Sequence, residues 1–319
     1  MSVIHQSRPI IVSASRRTDI PAFYAGWFID RIKEGYLMTR NPFNNQACFV
    51  SFTDTRLIVF WTKNPEPLIT YLPVLDRLNL DYYFHFTLND YESEKYEARL
   101  PSVKDRIRSF IRLSSLIGKD KMVWRFDPLI LSEHTGIGEL LRRLESLGNH
   151  LATHTNRLVI SFVDVMRYKK VHANLLREGY FDVGSIAGAE FTTGEKMELA
   201  GGLGAMLGKW KKMNPDFEVA TCCEDVDLES HGIIHNKCID DNLILKVFKQ
   251  NEKLINYIRQ GREKSRGGIW RDKGQRKNCL CIPSKDIGLY DTCPHLCAYC
   301  YANTSSGAIK SLSGGEEPM

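Results

Sequence analysis

The sequence predicts an α/β fold, a closed or partial (β/α) barrel with mostly parallel strands, and three observations support this. Short apolar runs rich in β-branched and aromatic residues recur at 10–14, 57–61, 82–86, 122–126, 158–163, 217–220 and 287–290. Helix-length segments with apolar periodicity separate most of them. The runs are apolar at successive positions, so both faces of each strand are covered, as in a parallel sheet packed with helices. Seven or so such units point to a closed or partly closed barrel, with an open doubly wound sheet as the alternative.

The first helix, 21–34, follows the capping signal Thr18-Asp19, has Pro21 in its first turn, sets Phe23, Trp27 and Ile32 on one side and stops at Gly35. The same signals predict helices at 67–78, 103–117, 137–147 and 196–211. No internal repeat or low-complexity linker interrupts this series. The chain reads as one domain: a barrel body over 1–245, completed by a basic segment and a cysteine-rich region over 246–319. Within 246–277 eleven Lys and Arg face three acids. That segment reads either as a solvated helix followed by a Gly267-Gly268 loop or as a basic surface. As a surface it would steady an anionic thiolate cluster or, with Tyr257 and Trp270, contact nucleic-acid phosphates and bases.

The 319 residues are 43% hydrophobic and 25% charged, with a formal net charge of +5. Such a chain fills a sizeable core, which excludes overall disorder, and its charge does not by itself mark a nucleic-acid binder. No run approaches the roughly 18 consecutive apolar residues of a membrane span. The opening MSVIHQSRPIIVSAS lacks a charged-then-apolar export layout, so the expected location is cytoplasmic, without a membrane partner. Thiols stay reduced there, and grouped cysteines more often bind metal than form disulfides. Of nine cysteines, Cys48 stands alone, Cys222, Cys223 and Cys238 form a loose set, and Cys279, Cys281, Cys293, Cys297 and Cys300 crowd the end.

In parallel α/β folds the loops after the strands share one face. Here those loops hold Ser13, Ser15, Arg16, Arg17 and Asp19, then Lys63 and Asn64, then Arg125 and Asp127, with His85 and Ser161 on the runs themselves. Each has an ordinary structural use. Asp19 caps a helix, Arg125 pairs with Asp127, Lys63 is exposed and His85 is a satisfied core histidine. Their recurrence at strand after strand indicates a polar pocket. Arg16, Arg17, Lys63, Asn64, Arg125 and Asp127 are the candidate contacts to cofactor or substrate, and the arginines suit a carboxylate or phosphate.

The stretch Cys293-Pro294-His295-Leu296-Cys297-Ala298-Tyr299-Cys300 is a C-x3-C-x2-C motif. Three thiolates on a short loop can hold three irons of a [4Fe–4S] cube and leave the fourth open to an external ligand. Structural zinc wants a closed shell of four, for which Cys279, Cys281 or His295 would supply the missing ligand.

This motif, followed by Tyr301-Ala302, resembles that of the radical S-adenosylmethionine superfamily, especially its spore photoproduct lyase-like branch. A longer series resembles the domain-of-unknown-function family 1848 over almost the whole chain. It runs from Ser15-Arg16-Arg17-Thr18-Asp19-Ile20-Pro21 through Phe60-Trp61-Thr62-Lys63-Asn64-Pro65 and Trp124-Arg125-Phe126-Asp127-Pro128 to the last cysteines. The superfamily resemblance implies a partial barrel whose open iron binds S-adenosylmethionine. It further implies reductive cleavage to a 5′-deoxyadenosyl radical, and an electron donor such as flavodoxin or ferredoxin. Cys293, Cys297 and Cys300 would be the cluster ligands, with Tyr299 beside the adenine.

The superfamily motif usually follows the first barrel strand, whereas here it lies near the end, which implies a circularly permuted core. Residues 287–290 would precede the cluster loop, and about 304–312 would begin the next helix. The run 10–14 would be the neighbouring strand, placing Ser13, Ser15, Arg16 and Arg17 where other members carry a Gly-Gly-Glu contact to the cofactor. Gly314-Gly315-Glu316 matches that contact in type but comes too soon after Cys300.

Cys222, Cys238, Cys279 and Cys281 remain, as ligands of a second [4Fe–4S] cluster, as a zinc knuckle, or as unligated thiols. Cys223 and Cys48 read as packing residues. The expected function is thus a radical S-adenosylmethionine-type enzyme acting on a small anionic or nucleic-acid-derived substrate. The alternatives are a zinc-containing nucleic-acid-binding module and a non-catalytic iron–sulfur redox protein.

Overall fold

The computed structural model describes residues 5–41, 44–266 and 268–312. Gly267 and the Gly314-Gly315-Glu316 stretch lie outside them. In chain order the strands are β1 (His5–Ser7), β2 (Ile11–Ala14), β3 (Tyr36–Arg40), β4 (Ala47–Ser51), β5 (Leu57–Thr62), β6 (Asp81–Thr87), β7 (Met122–Leu129), β8 (Arg157–Phe162), β9 (Glu218–Thr221), β10 (Ile233–His235) and β11 (Lys285–Asp286). The helices are α1 (Ile20–Phe23), α2 (Ala25–Glu34), α3 (Glu66–Ile69), α4 (Leu72–Arg77), α5 (Val103–Ile117), α6 (Ile137–Leu151), α7 (Lys169–Arg177), α8 (Thr193–Met213), α9 (Asp241–Val247) and α10 (Glu252–Lys264).

The main sheet has 8 strands in the order β10-β9-β8-β7-β6-β5-β2-β11, all parallel. The order runs along the chain without reversal, so it has no switch point of the doubly wound kind. The exception to chain order is β11, which pairs with β2. Right-handed crossovers that always step the same way put their helices on one face. That face carries the larger core, where Val12, Phe60, Phe84, Trp124 and Ile160 join Phe28, Phe110, Leu144 and Trp210. Alternate strand residues point the other way. There Ile11, Leu57, Val59 and Tyr83 are covered by Ile244 of α9, Phe248 just after it, and Leu254 and Ile258 of α10. Further along the strands this inner face turns polar, with Ser13, His85 and Arg125.

Six of the seven sequence-predicted strands coincide with β2 and β5 to β9. The seventh is corrected: pairing falls at Lys285–Asp286, two residues before 287–290. Where 304–312 was expected to begin a helix, the described residues instead hold a 3-10 turn at Ser306–Ala308. The predicted 21–34 helix divides because Tyr24 takes a non-helical φ of −130°. Elements without a sequence expectation are α7, α9, β10 and a 3-stranded side sheet of β1, β4 and β3. α10 lies within the basic segment, but its Leu254 and Ile258 are core, and Tyr257 packs edge-on against Trp270.

Asp286 fastens β11 to β2. Its carboxylate accepts hydrogen bonds from Ser13 Oγ (3.1 Å), Ser15 Oγ (2.7 Å), Arg16 N (3.0 Å), Arg17 Nη1 (3.1 Å) and Gly288 N (3.0 Å). The backbone beyond it passes so close that a Cβ at Gly288 would overlap Ser15 Oγ. Two substitutions test this clasp. Gly288→Ala displaces the Ser15 hydroxyl and is expected to cost about 1–3 kcal/mol in urea denaturation, as overpacking does. Asp286→Ala strands a buried set of donors and is expected to cost at least about 3 kcal/mol. Wild-type stability in both variants would show that the clasp is incidental.

Candidate functional site

Because the strands are parallel, the sequence-predicted site residues that end or follow β2, β5, β7, β9 and β10 lie toward the carboxyl ends of those strands, while Cys279 and Cys281 come before β11. The 550 Å³ depression lined by Arg56, Asp81 and Asn251 touches none of them.

The cysteine loop is turned by two residues in the left-handed region, Asp291 (φ 57°) and Leu296 (φ 51°). Cys300 N donates to Cys297 O (3.0 Å), and Asn303 Nδ2 donates to Cys293 O (2.7 Å). Ala302 N and Asn303 N point at Cys300 Sγ from 3.3 and 3.4 Å. Asp19 ties the loop to the body. It caps α1 through Ala22 N (3.0 Å), accepts Lys63 N after β5 (2.7 Å) and meets His295 Nε2 (2.9 Å). The capping role foreseen for Asp19 is therefore present, with two further partners.

Burial raises all three thiols. Cys293 is pushed up to about 12 by desolvation and then by the Asp19 carboxylate. Cys297 rises by desolvation against the pull of Lys63, and Cys300 by desolvation against its two backbone donors. Cys293 feels the charge of Cys300, and Cys297 those of Cys300 and Cys293, so the three share one neighbourhood. Buried thiols of this kind ionise when a metal drives off the proton. Among the described residues no three His, Cys, Asp or Glu side chains form a ready cage for a single metal ion. What the loop offers a cluster is a soft donor set, three sulfurs with N–H groups aimed at one of them.

Tyr299 is buried, and its hydroxyl donates to Glu97 while accepting from Lys63 Nζ (2.8 Å) and Asn89 Nδ2 (2.9 Å). Glu97 also takes Lys63 Nζ (2.7 Å), Asn89 Nδ2 (3.0 Å) and Arg106 Nη1 (2.9 Å). Burial alone would raise this carboxyl, but Lys63 and Arg106 outweigh it and hold it at about 2. Lys63 and Tyr299 thus meet around Glu97, a residue that nothing in the acid-rich stretch 92–97 marks out. Against the outer side of Cys297 lies a 200 Å³ pocket bearing Lys95, Arg99 and Arg177.

On the inner face Trp61 stacks on His85 at 4.2 Å, with the Arg16 and Arg125 guanidinium groups over its ring at 4.7 and 5.3 Å. Arg125 grips Asp127 through Nε (3.0 Å) and Nη2 (2.5 Å), and Ser161 donates to the other carboxylate oxygen. Arg125 Nη1 also reaches Cys238 Sγ at 3.1 Å. His85 Nε2 lies 2.8 Å from Cys238 O, and burial followed by the Arg125 charge keeps its ring neutral. Ser13, Ser15 and Arg17 are engaged by Asp286, and Asn64 Oδ1 accepts Glu66 N (3.3 Å) in the turn before α3. Cys222, Cys238, Cys279 and Cys281 come together after β9 and β10. Cys223 lies beside Cys279. Cys48 is buried in the larger core, as expected of packing.

The Glu97 cluster gives a pH-dependent expectation. Its carboxyl lies below the unfolded value of about 4.3, so its stabilisation is present above that value and is lost as pH falls towards about 2. At neutral pH Glu97→Gln leaves Lys63 and Arg106 buried without a counter-charge, an expected loss of about 3–5 kcal/mol. The gap between wild type and E97Q in urea midpoint should close below about pH 4. A gap that does not change with pH would contradict the assigned ionisation.

No helix among the described residues is long and apolar enough to cross a membrane. Neither the curated proteins nor the solved structures give a match. A family match spans residues 11–302, from β2 through the cysteine loop, so the chain belongs to DUF1848, described as a domain of unknown function.

Proposed function

We propose that the protein is an iron–sulfur enzyme of the radical S-adenosylmethionine type, acting on a small anionic or nucleic-acid-derived substrate. The observation that carries the reading is Cys293, Cys297 and Cys300 at C-x3-C-x2-C spacing, on a buried loop that follows the strand paired with β2. A core of this type whose seam has been moved would have that strand order, with the motif's strand late in the chain and next to the first strand of the sheet. The finer reading, a circularly permuted (β/α) barrel, rests on the same order.

Cys293, Cys297 and Cys300 would hold the [4Fe–4S] cluster. With an open iron such a cluster supplies the electron that cleaves S-adenosylmethionine to methionine and a 5′-deoxyadenosyl radical. The chain's own residues keep the loop dry and fixed: Asp19 through His295, and Glu97 through Tyr299. Arg16, laid over Trp61 at the polar inner face, is the cation best disposed towards an anionic ligand. The basic pocket behind Cys297 suits an acidic electron donor such as flavodoxin or ferredoxin. Less favours a nucleic-acid module, because Arg262 and Arg276 of the basic segment pair with Asp241 and Asp164.

Protein purified without oxygen is expected to be brown, to contain iron and acid-labile sulfide, and to cleave S-adenosylmethionine when reduced. Cys297→Ala should abolish cleavage. A colourless preparation with stoichiometric zinc would overturn the reading, and iron without cleavage would reduce it to a redox protein.

A further inference from the structure

Cys222 and Cys238 are free thiols whose sulfurs touch, 3.6 Å apart. The sheet holds them there. Cys222 directly follows β9, and its N–H donates to Ile160 O of β8 (2.9 Å). Cys238 follows β10 after Asn236 and Lys237. Its carbonyl accepts the Tyr83 hydroxyl (2.6 Å) and lies 2.8 Å from His85 Nε2, both on β6. Its sulfur takes hydrogen bonds from Arg125 Nη1 and Asn236 Nδ2, each at 3.1 Å. Both backbones are thus anchored to neighbouring strands, and the fold itself sets the contact between the thiols.

Sulfurs in contact have a covalent outcome within reach. They bond at about 2.05 Å, so closing the gap takes about 1.5 Å of movement. The two differ in access, since Cys222 is partly exposed and Cys238 is buried, with 4% of its surface open. A small oxidant therefore meets Cys222 first and finds Cys238 directly behind it.

We propose that Cys222 and Cys238 are an oxidation site, a pair that closes a reversible disulfide when a hydroperoxide reaches Cys222. The Cys222 sulfur attacks the peroxide, becomes a sulfenic acid and releases an alcohol, or water when the oxidant is hydrogen peroxide. Cys238 then displaces water from that sulfur as the S–S bond forms. The two thiols give up two electrons, which cleave the O–O bond, and their two protons leave in the alcohol and the water. A dithiol reverses the bridge by exchange and is itself oxidised to a disulfide. Contact with Cys238 and then burial hold the Cys222 thiol well above its ordinary range, so the first step is slow. The second joins groups already in contact, and the sulfenic acid does not build up. The bridge would staple β10, the three-residue strand at the edge of the main sheet, to the end of β9. It uses none of Cys293, Cys297 and Cys300, so it stands or falls apart from the cluster proposed above.

The test is peptide mapping of the full chain after treatment with hydrogen peroxide and alkylation. Cleavage after Lys237 puts the two cysteines on separate peptides. A cross-linked pair is expected, lighter than the two reduced peptides by two hydrogens and lost again on treatment with a dithiol. It should persist in Cys223→Ala and in Cys297→Ala and be absent from Cys222→Ala. A 1,3-diketone that captures sulfenic acids should label Cys222 in Cys238→Ala and leave it unlabelled in wild type. Where a variant fails to fold, fragmentation of the wild-type cross-link between Cys222 and Cys223 assigns the bond. A bridge from Cys238 to any other cysteine overturns the proposal. So does free alkylation of Cys222 and Cys238 after peroxide, or a metal bound at the pair that shields both.

Discussion

The arrangement depends on one carboxylate, that of Asp286, which joins parts of the chain 270 residues apart. β11 is only two residues long and adds little ladder of its own. Its hold on β2 comes from two serine hydroxyls, the Arg16 backbone amide and the Arg17 guanidinium converging on that single group, with Gly288 letting the backbones approach. The cysteine loop begins a few residues later. Its position relative to β2, β5 and Asp19 is therefore set by side-chain chemistry more than by strand pairing.

A second constraint is electrostatic. The inner face of the sheet places arginines beside sulfur at one position and beside carboxylates at the next, with Arg16 and Arg125 both over the Trp61 ring. On the other side of the cysteine loop, Glu97 neutralises Lys63 and Arg106 and at the same time receives the Tyr299 hydroxyl. Several side chains that suggest ligand binding when considered singly are thus already partnered within the protein. Arg16, whose guanidinium makes no ion pair among the described residues, thereby differs from Arg17, Lys63 and Arg125, each of which holds a carboxylate.

The sequence made the main sheet legible because its strands are apolar at successive positions and its helices keep a clear period. It hid the side sheet, where β3 and most of β4 alternate between buried and less buried residues, and it hid β11, whose two paired residues are charged. The polar rim was readable from position alone. The partners within it were not: Asp286, Glu97 and Asn89 act across long sequence separations with no local signal. The nearness of Cys223 to Cys279 likewise spans a long sequence separation. Cys222, Cys238, Cys279 and Cys281 were recognisable as a group by counting thiols, while the arginines that surround them became visible only in three dimensions.

The strand order has a consequence for how the molecule is made. Ribosomes deliver β2 early and β11 last, so one flank of the growing sheet waits with unpaired peptide groups while most of the polypeptide emerges. A bare flank of that kind invites pairing with other chains. Just four residues long and fully buried in the finished protein, β2 offers little length for such mispairing. The sulfur ligands proposed for the cluster, Cys293, Cys297 and Cys300, likewise follow every strand of the sheet, so metal insertion would come after those strands have been made.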